Sequence, residues 1–155
     1  MKKYIGILII ITLLLCVGLS GCEVIEENDY ITVNVLVDAT VDIIGKDGNS
    51  IKSQINVSGL PIRIEIVKAG GERLVFERVA NVYGYADTVS GTFHLYKEQM
   101  IEVTASAQGG IGDFYQLHIG YEVLTWETVH GSVDFGETYT WEAEPIIEMA
   151  NTTTY

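Results

Sequence analysis

Few side chains in this 155-residue chain have the types and spacing for chemistry. Its two cysteines, Cys16 and Cys22, sit together in LLLCVGLSGC. Such thiols can close a disulfide, hold a metal as thiolates or accept a covalent group. Three histidines, His94, His118 and His130, suit acid–base work or metal ligation. No HExxH or other paired spacing links them. His130, Ser132 and Asp134 have the residue types of a triad. Two residues apart on one strand, however, Ser132 and Asp134 would stand side by side, and no GxSxG elbow presents a nucleophile. Asp38 with Asp42, or Asp47 with Asn49, offers oxygens to a cation. Calcium takes roughly six to eight oxygens at one point, and neither pair matches the EF-hand loop. Glu142 and Glu144 share a strand face at i, i+2, too far apart alone to act as an acid/base pair. Gly109-Gly110-Ile111-Gly112 lacks the lysine and the strand-to-helix context of a phosphate loop and reads as a flexible loop. These patterns assign no catalytic residue, no metal and no cofactor.

The aromatics are the remaining candidates. Tyr115, Tyr121, Trp126, Tyr139 and Trp141 lie after Lys97, in a C-terminal stretch without a single Lys or Arg. A flat row containing Tyr121, Trp126 and Trp141, rimmed by carboxylates, would stack on sugar rings. The competing and favoured reading puts Tyr121, Tyr139 and Trp141 on core faces. Asn56-Val57-Ser58 and Asn151-Thr152-Thr153 have the form of N-glycosylation acceptors, relevant only in a glycosylating host.

The N-terminus bears on the cysteines. Lys2 and Lys3 precede an apolar run from Tyr4 to Val17, then Gly18-Leu19-Ser20-Gly21-Cys22. A positive head, a short apolar stretch and small residues make a secretory signal. The run is shorter than the ~20 residues that cross a bilayer comfortably. Leu19-Ser20-Gly21-Cys22 resembles the prokaryotic lipoprotein processing box. That resemblance implies a diacylglyceryl group on the Cys22 thiol and cleavage before it, so that Cys16 is discarded and the mature chain keeps no free thiol. An ordinary secretory peptide or an uncleaved anchor are the alternatives. Lipid at Cys22, at ~0.8 kcal/mol per buried methylene, implies an extracytoplasmic protein held at the membrane's outer face. Residues 23–29 (EVIEEND) read as an acidic tether reaching about 25 Å at most.

Removing residues 1–21 takes two of the nine basic residues and none of the 21 acidic ones, so the charge moves from −12 to −14. Such a balance argues against nucleic acid, whose phosphates need Lys and Arg, and against docking on anionic headgroups. After Lys97 ten acidic residues follow with no basic one. Like-charge repulsion for solubility is the plain reading; a cation-binding face, a cationic partner or a salty habitat are the others.

Period-two alternation dominates the rest. Val33, Val35, Val37, Ala39, Val41 and Ile43 alternate with mostly polar neighbours, a strand so long that a break is expected near Asp38–Thr40. Residues 45–49 form a turn. Ile62, Ile64 and Ile66 lead through a hairpin at 69–72 to Leu74–Glu77. Further strand faces are expected at Phe93 and Leu95, at Ile101, Val103 and Ala105, at Leu117, Ile119, Tyr121 and Val123, at Val133 with Phe135, and at Tyr139 with Trp141. No stretch after Cys22 shows a 3.6 period. The expectation is an all-β fold: an antiparallel β-sandwich of about eight strands at 31–149, after a signal helix at 1–21 and a lipidated, acidic tether at 22–30, with a disordered tail at 150–155.

The stretch from Gly59 to Ala107 adds a resemblance to transthyretin-like and carboxypeptidase-regulatory-like domains. Leu60-Pro61-Ile62 and Gly84-Tyr85-Ala86 carry it. Where those families usually have Thr-Asp before the turn, this chain has Ala80-Asn81. The likeness implies an Ig-like extracellular sandwich and carries over no catalytic residue. Together these readings predict a membrane-anchored surface lipoprotein acting as a non-catalytic binding or structural module, with an unidentified surface protein or glycan as partner. A glycan-binding module using exposed Tyr and Trp is the first alternative. A cation-dependent or hydrolytic surface enzyme is the second.

Overall fold

The computed structural model describes residues 29–151. The signal, Leu19, Ser20, Gly21 and Cys22, most of the tether and residues 152–155 lie outside the described residues. Ten strands and one short helix follow in chain order: β1 (Tyr30–Val37), β2 (Thr40–Ile44), β3 (Pro61–Lys68), β4 (Arg73–Val79), β5 (Val89–Tyr96), β6 (Met100–Ala107), β7 (Phe114–His118), β8 (Gly120–Thr125), α1 (Trp126–His130), β9 (Thr138–Ala143) and β10 (Ile146–Asn151).

The alternation read from residues 33–43 is the backbone of the fold. Ile31, Val33, Val35 and Val37 of β1 are fully buried, and Ala39, Val41 and Ile43 continue the same face. The expected break falls at Asp38 and Ala39. The last two strands break at the matching place, Glu144-Pro145, where proline supplies no N–H for a ladder. β1 pairs parallel with β9 and β2 parallel with β10 in one register: Val37 faces Ala143 and Thr40 faces Ile146. Across the break the Asp38 N–H donates to the Ala143 carbonyl (2.9 Å) and the Thr40 N–H to the Pro145 carbonyl (3.0 Å). The result is one parallel ribbon that passes through both half-sheets.

β5 pairs antiparallel with β1, and β7 antiparallel with β10 on the other side of the ribbon. The facing sheet, in the order β4-β3-β6-β8, is antiparallel throughout. One apolar cluster joins the layers: Ile62, Ile64 and Ile66 of β3 and Ile101 and Val103 of β6 share it with the ribbon's inward side chains. This is the expected all-β sandwich with antiparallel-rich sheets. The parallel pair at its centre is not visible in alternation, because period two is common to both pairings.

Several expectations are corrected. The strands number ten rather than about eight because both ribbon strands break in two. Tyr30, assigned to the tether, opens β1, and the tail does not start at 150: Ala150 is fully buried and Asn151 ends β10. Val133 and Phe135 form no strand. The Val129 carbonyl accepts the N–H groups of Ser132 (2.9 Å) and Val133 (3.1 Å), turning the chain off the end of α1. A five-residue helix is too short for its period to register in sequence.

The face Leu117, Ile119, Tyr121, Val123 points outward, each residue being at least two-fifths exposed. β7 and β8 belong to different sheets, and the chain crosses between them at Ile119. Gly120 is the inward position there: a Cβ on it would meet the Pro145 Cβ at 2.8 Å, so only glycine passes so close to β10. Two residues on, Glu122 accepts the Glu144 N–H (2.9 Å) freed by the β9–β10 break.

On the outer face of the antiparallel sheet, the Arg63 Nε donates to Glu65 (2.7 Å) and Arg73 donates to its other oxygen (2.6 Å). Those two hydrogen bonds, Arg63's first, hold the Glu65 carboxyl below its ordinary value. Its contribution to stability is therefore present above the unfolded value near ~4.3 and is lost as pH falls through the lower folded value. Urea unfolding between pH 6 and about pH 3 should show a shallower acid decline in Glu65→Gln than in wild type; identical slopes would mean that the pair does not couple to folding.

Candidate functional site

Two connections meet against the free edge of β2. One, residues 80–88, joins β4 to β5 and is built by Asn81. Its side-chain oxygen accepts the N–H groups of Tyr83 (2.9 Å) and Tyr85 (3.1 Å), while its own N–H donates to the Tyr85 carbonyl (2.9 Å). Gly84 completes the turn at φ +79, in the left-handed region. The turn is stitched to β2: the Val41 N–H donates to the Gly84 carbonyl (2.8 Å) and the Ala86 N–H to the Ala39 carbonyl (3.0 Å). With its backbone so fixed, the turn holds Tyr83 and Tyr85 outward, 69% and 51% exposed.

The other connection, residues 45–60, joins β2 to β3. Ser50 donates to the Asp42 carboxylate, and the Ile51 N–H to the Ile43 carbonyl (2.8 Å), folding the chain back on β2. A single 3-10 turn, Lys52–Gln54, follows. Ile51 and Ile55 pack on the core and anchor it. Asn56 then accepts the Ser58 N–H (3.0 Å) at the exposed rim.

Between the two connections lies an open cleft of about 850 Å³. Ser50, Lys52, Ser53, Gln54, Ile55 and Asn56 form one wall; Val82, Tyr83 and Tyr85 form the other. The Lys52 ammonium lies 4.6 Å from the centre of the Tyr85 ring, a cation–π contact across the cleft. None of the nine lining residues is acidic. Aromatic faces, hydroxyls, amides and one cation therefore share a concave surface open to solvent, which suits reversible binding of a polar ligand with apolar faces.

The residues singled out from the sequence lie elsewhere. Trp126 is 6% exposed, capped by the His130 ring (5.2 Å between centroids) and the Phe135 ring (5.8 Å), so it offers no stacking surface. Trp141 and Tyr139 are half-buried on the core side of β9, as favoured. Tyr121 is 52% exposed, not in the core, and its hydroxyl donates to Glu102 (2.7 Å), which raises the phenol's pKa. Tyr121, Trp126 and Trp141 thus occupy three different surfaces and form no row.

The titratable groups are also dispersed. His94 lies on β5 against the Tyr30 ring, His118 on β7 beside Glu148 (2.9 Å), and His130 on Trp126. The Ser132 hydroxyl donates to the Thr128 carbonyl (2.8 Å). Asp38 accepts from Thr88 and Asp42 from Ser50, so those two carboxylates have separate partners. The Asn49 amide donates to Asp47 (2.7 Å) and lowers its pKa. Among the described residues no group of three or more His, Cys, Asp and Glu could hold a metal ion. The glycine loop is stitched: Ile111 and Phe114 exchange backbone hydrogen bonds of 2.9 and 3.0 Å, and the Tyr115 ring covers Gly110. Of the two sequons, Asn56 lies on the cleft rim and Asn151 at the end of β10.

No spacing in the sequence marks Tyr83, Val82 or Lys52, and Tyr85 stands out there only as part of a fold signature. The signal for the tyrosines was the turn itself, Asn81-Val82-Tyr83-Gly84-Tyr85, whose Asn and Gly present whatever lies between them. Nothing local could place Lys52, which approaches from a different connection. A Cβ at Gly84 would meet the Lys52 Cε at 2.7 Å and the Val41 carbonyl oxygen at 2.8 Å. Gly84→Ala should therefore lower the unfolding free energy by about 1–3 kcal/mol, read by urea titration, and loosen amide-exchange protection at Val41. Unchanged protection there would show that the turn does not close the β2 edge.

No protein-family model matches the chain, and no curated protein matches it.

Proposed function

We propose that the protein is a membrane-anchored extracytoplasmic lipoprotein whose β-sandwich is a non-catalytic binding module, with the Tyr83–Tyr85–Lys52 cleft as its contact surface and a saccharide as its ligand class. The observation that carries this reading is the cleft: two tyrosines held outward by a turn that is itself pinned to the sheet, facing a wall of hydroxyls and amides. Tyrosine left half or more in water contributes little to the core, and its apolar face with a polar tip suits the apolar face and hydroxyl rim of a sugar ring. This moves the glycan reading from Tyr121, Trp126 and Trp141 to residues that share one surface.

The address is supported by Lys2-Lys3, the apolar run and Leu19-Ser20-Gly21-Cys22. The strand–hairpin–strand–turn order from Pro61 to Ala86 supports the likeness to transthyretin-like and carboxypeptidase-regulatory-like domains, with Asn81 capping the turn where those families carry Asp.

Two experiments test the parts separately. Cys22→Ser should move the protein from the membrane fraction to the soluble fraction of fractionated cells; retention in the membrane would sink the lipid anchor. For the cleft, detergent-solubilised lipoprotein should bind methyl-esterified oligogalacturonate in calorimetric titration. Tyr83→Ala and Tyr85→Ala should each weaken that binding by about three- to tenfold, the size of one aromatic contact. Binding that survives both substitutions unchanged places the ligand elsewhere.

A further inference from the structure

Resting on that saccharide reading of the cleft, we infer that the cleft selects an acidic saccharide, one whose ring carries a carboxylate that seats on the Lys52 ammonium while the ring stacks on Tyr83. The first observation is a local reversal of charge. The chain after Gly21 carries −14, yet the cleft lining holds one lysine and no carboxylate. The Asp42 carboxylate lies behind the wall, where the Ser50 hydroxyl donates to it; at physiological ionic strength the screening length is about 8 Å, so acidic residues beyond that distance act weakly on a ligand inside the cleft. The contact charge then decides the sign of what is bound.

The second observation concerns what Lys52 is doing. Arg63 and Arg73 share Glu65, Arg63 also reaches Glu77, and Lys68 pairs with Glu72. Lys52 makes no ion pair among the described residues; its ammonium rests instead near the face of Tyr85. A cation held by a ring keeps its hydrogen-bond donors free for an anion, because the ring accepts from one side only.

The third is pre-positioning. The lysine stem lies across Gly84, where the missing Cβ leaves room for Cε, and the 3-10 turn sets its backbone. Lysine side chains lose considerable rotamer freedom on binding, and part of that loss is already incurred here. Ser53, Gln54 and Asn56 on the same wall supply neutral donors and acceptors for sugar hydroxyls.

Methyl esterification removes the charge from a uronate while keeping its ring, so oligogalacturonate and its methyl ester form the discriminating pair. Calorimetry on detergent-solubilised lipoprotein at roughly 0.15 M salt should show the acid form bound about tenfold more tightly than the ester, the scale of one charge-assisted hydrogen bond. Lys52→Gln should bring the two forms to equal affinity, and Lys52→Arg should preserve the difference. Equal affinity for the two forms in wild type, or discrimination that survives Lys52→Gln, overturns the acidic selectivity and leaves a neutral saccharide site standing. No heat from either form overturns the saccharide reading itself.

Discussion

The fold depends on one requirement: every N–H and C=O of the β1–β2 strand has to be paired although that strand breaks in its middle. Buried backbone groups left unpaired cost about 1–3 kcal/mol each. β9–β10 meets the requirement on one side by breaking at the same step, so that hydrogen bonds from Asp38 and Thr40 carry the ladder over the gap. On the other side β5 covers β1 only, and the edge of β2 is left to be closed by something else. The turn at 81–85 closes it through Gly84 and Ala86. The cleft is a by-product of that closure. A turn whose inward backbone is bonded to a strand must present its side chains outward, and here those are Val82, Tyr83 and Tyr85.

Charge is distributed along the same architecture. All Lys and Arg after the signal fall between Lys46 and Lys97, which covers the β2–β3 connection, β3, β4 and the end of β5. The other half of the sandwich, β6 to β10, presents carboxylates alone. On the rim at β8, Glu122 faces inward and accepts a backbone N–H, which places a charge where a free edge would otherwise invite another strand. Electrostatics thus guard the acidic edge, while the 850 Å³ cleft sits in the basic segment.

Much of this was legible in the sequence because half-buried strands leave a two-residue signature. Ile62, Ile64, Ile66, Ile101, Val103 and Ala105 all face the core as their alternation implies. The same rule failed at Leu117–Val123, since alternation gives the phase of a strand but not which phase faces a second layer. The inward phase there belongs to Gly120 and Leu124, set by the close passage of β10. Trp126 was hidden for another reason: a one-turn helix has no period, and its burial is decided by His130 and Phe135 folding over it. The candidate site was the least legible part. Asn81 and Gly84 announce a turn, but the partnership of Tyr85 with Lys52 is made between two connections and has no local pattern to find.

Strand geometry joins the proposed anchor to the proposed site. Tyr30, the first residue of β1, is the ribbon end connected to Cys22, and the cleft's turn bonds the ribbon at Thr40 and Val41. At ~3.3 Å per residue those points lie roughly 35 Å apart along the ribbon, somewhat less across its break. When the Tyr30 end is drawn toward the membrane, the Tyr83–Tyr85 turn stands at the far end of the same stiff element. The requirement that pairs the β2 edge thus also sets the Tyr83–Tyr85 turn a ribbon length from the Tyr30 end of β1.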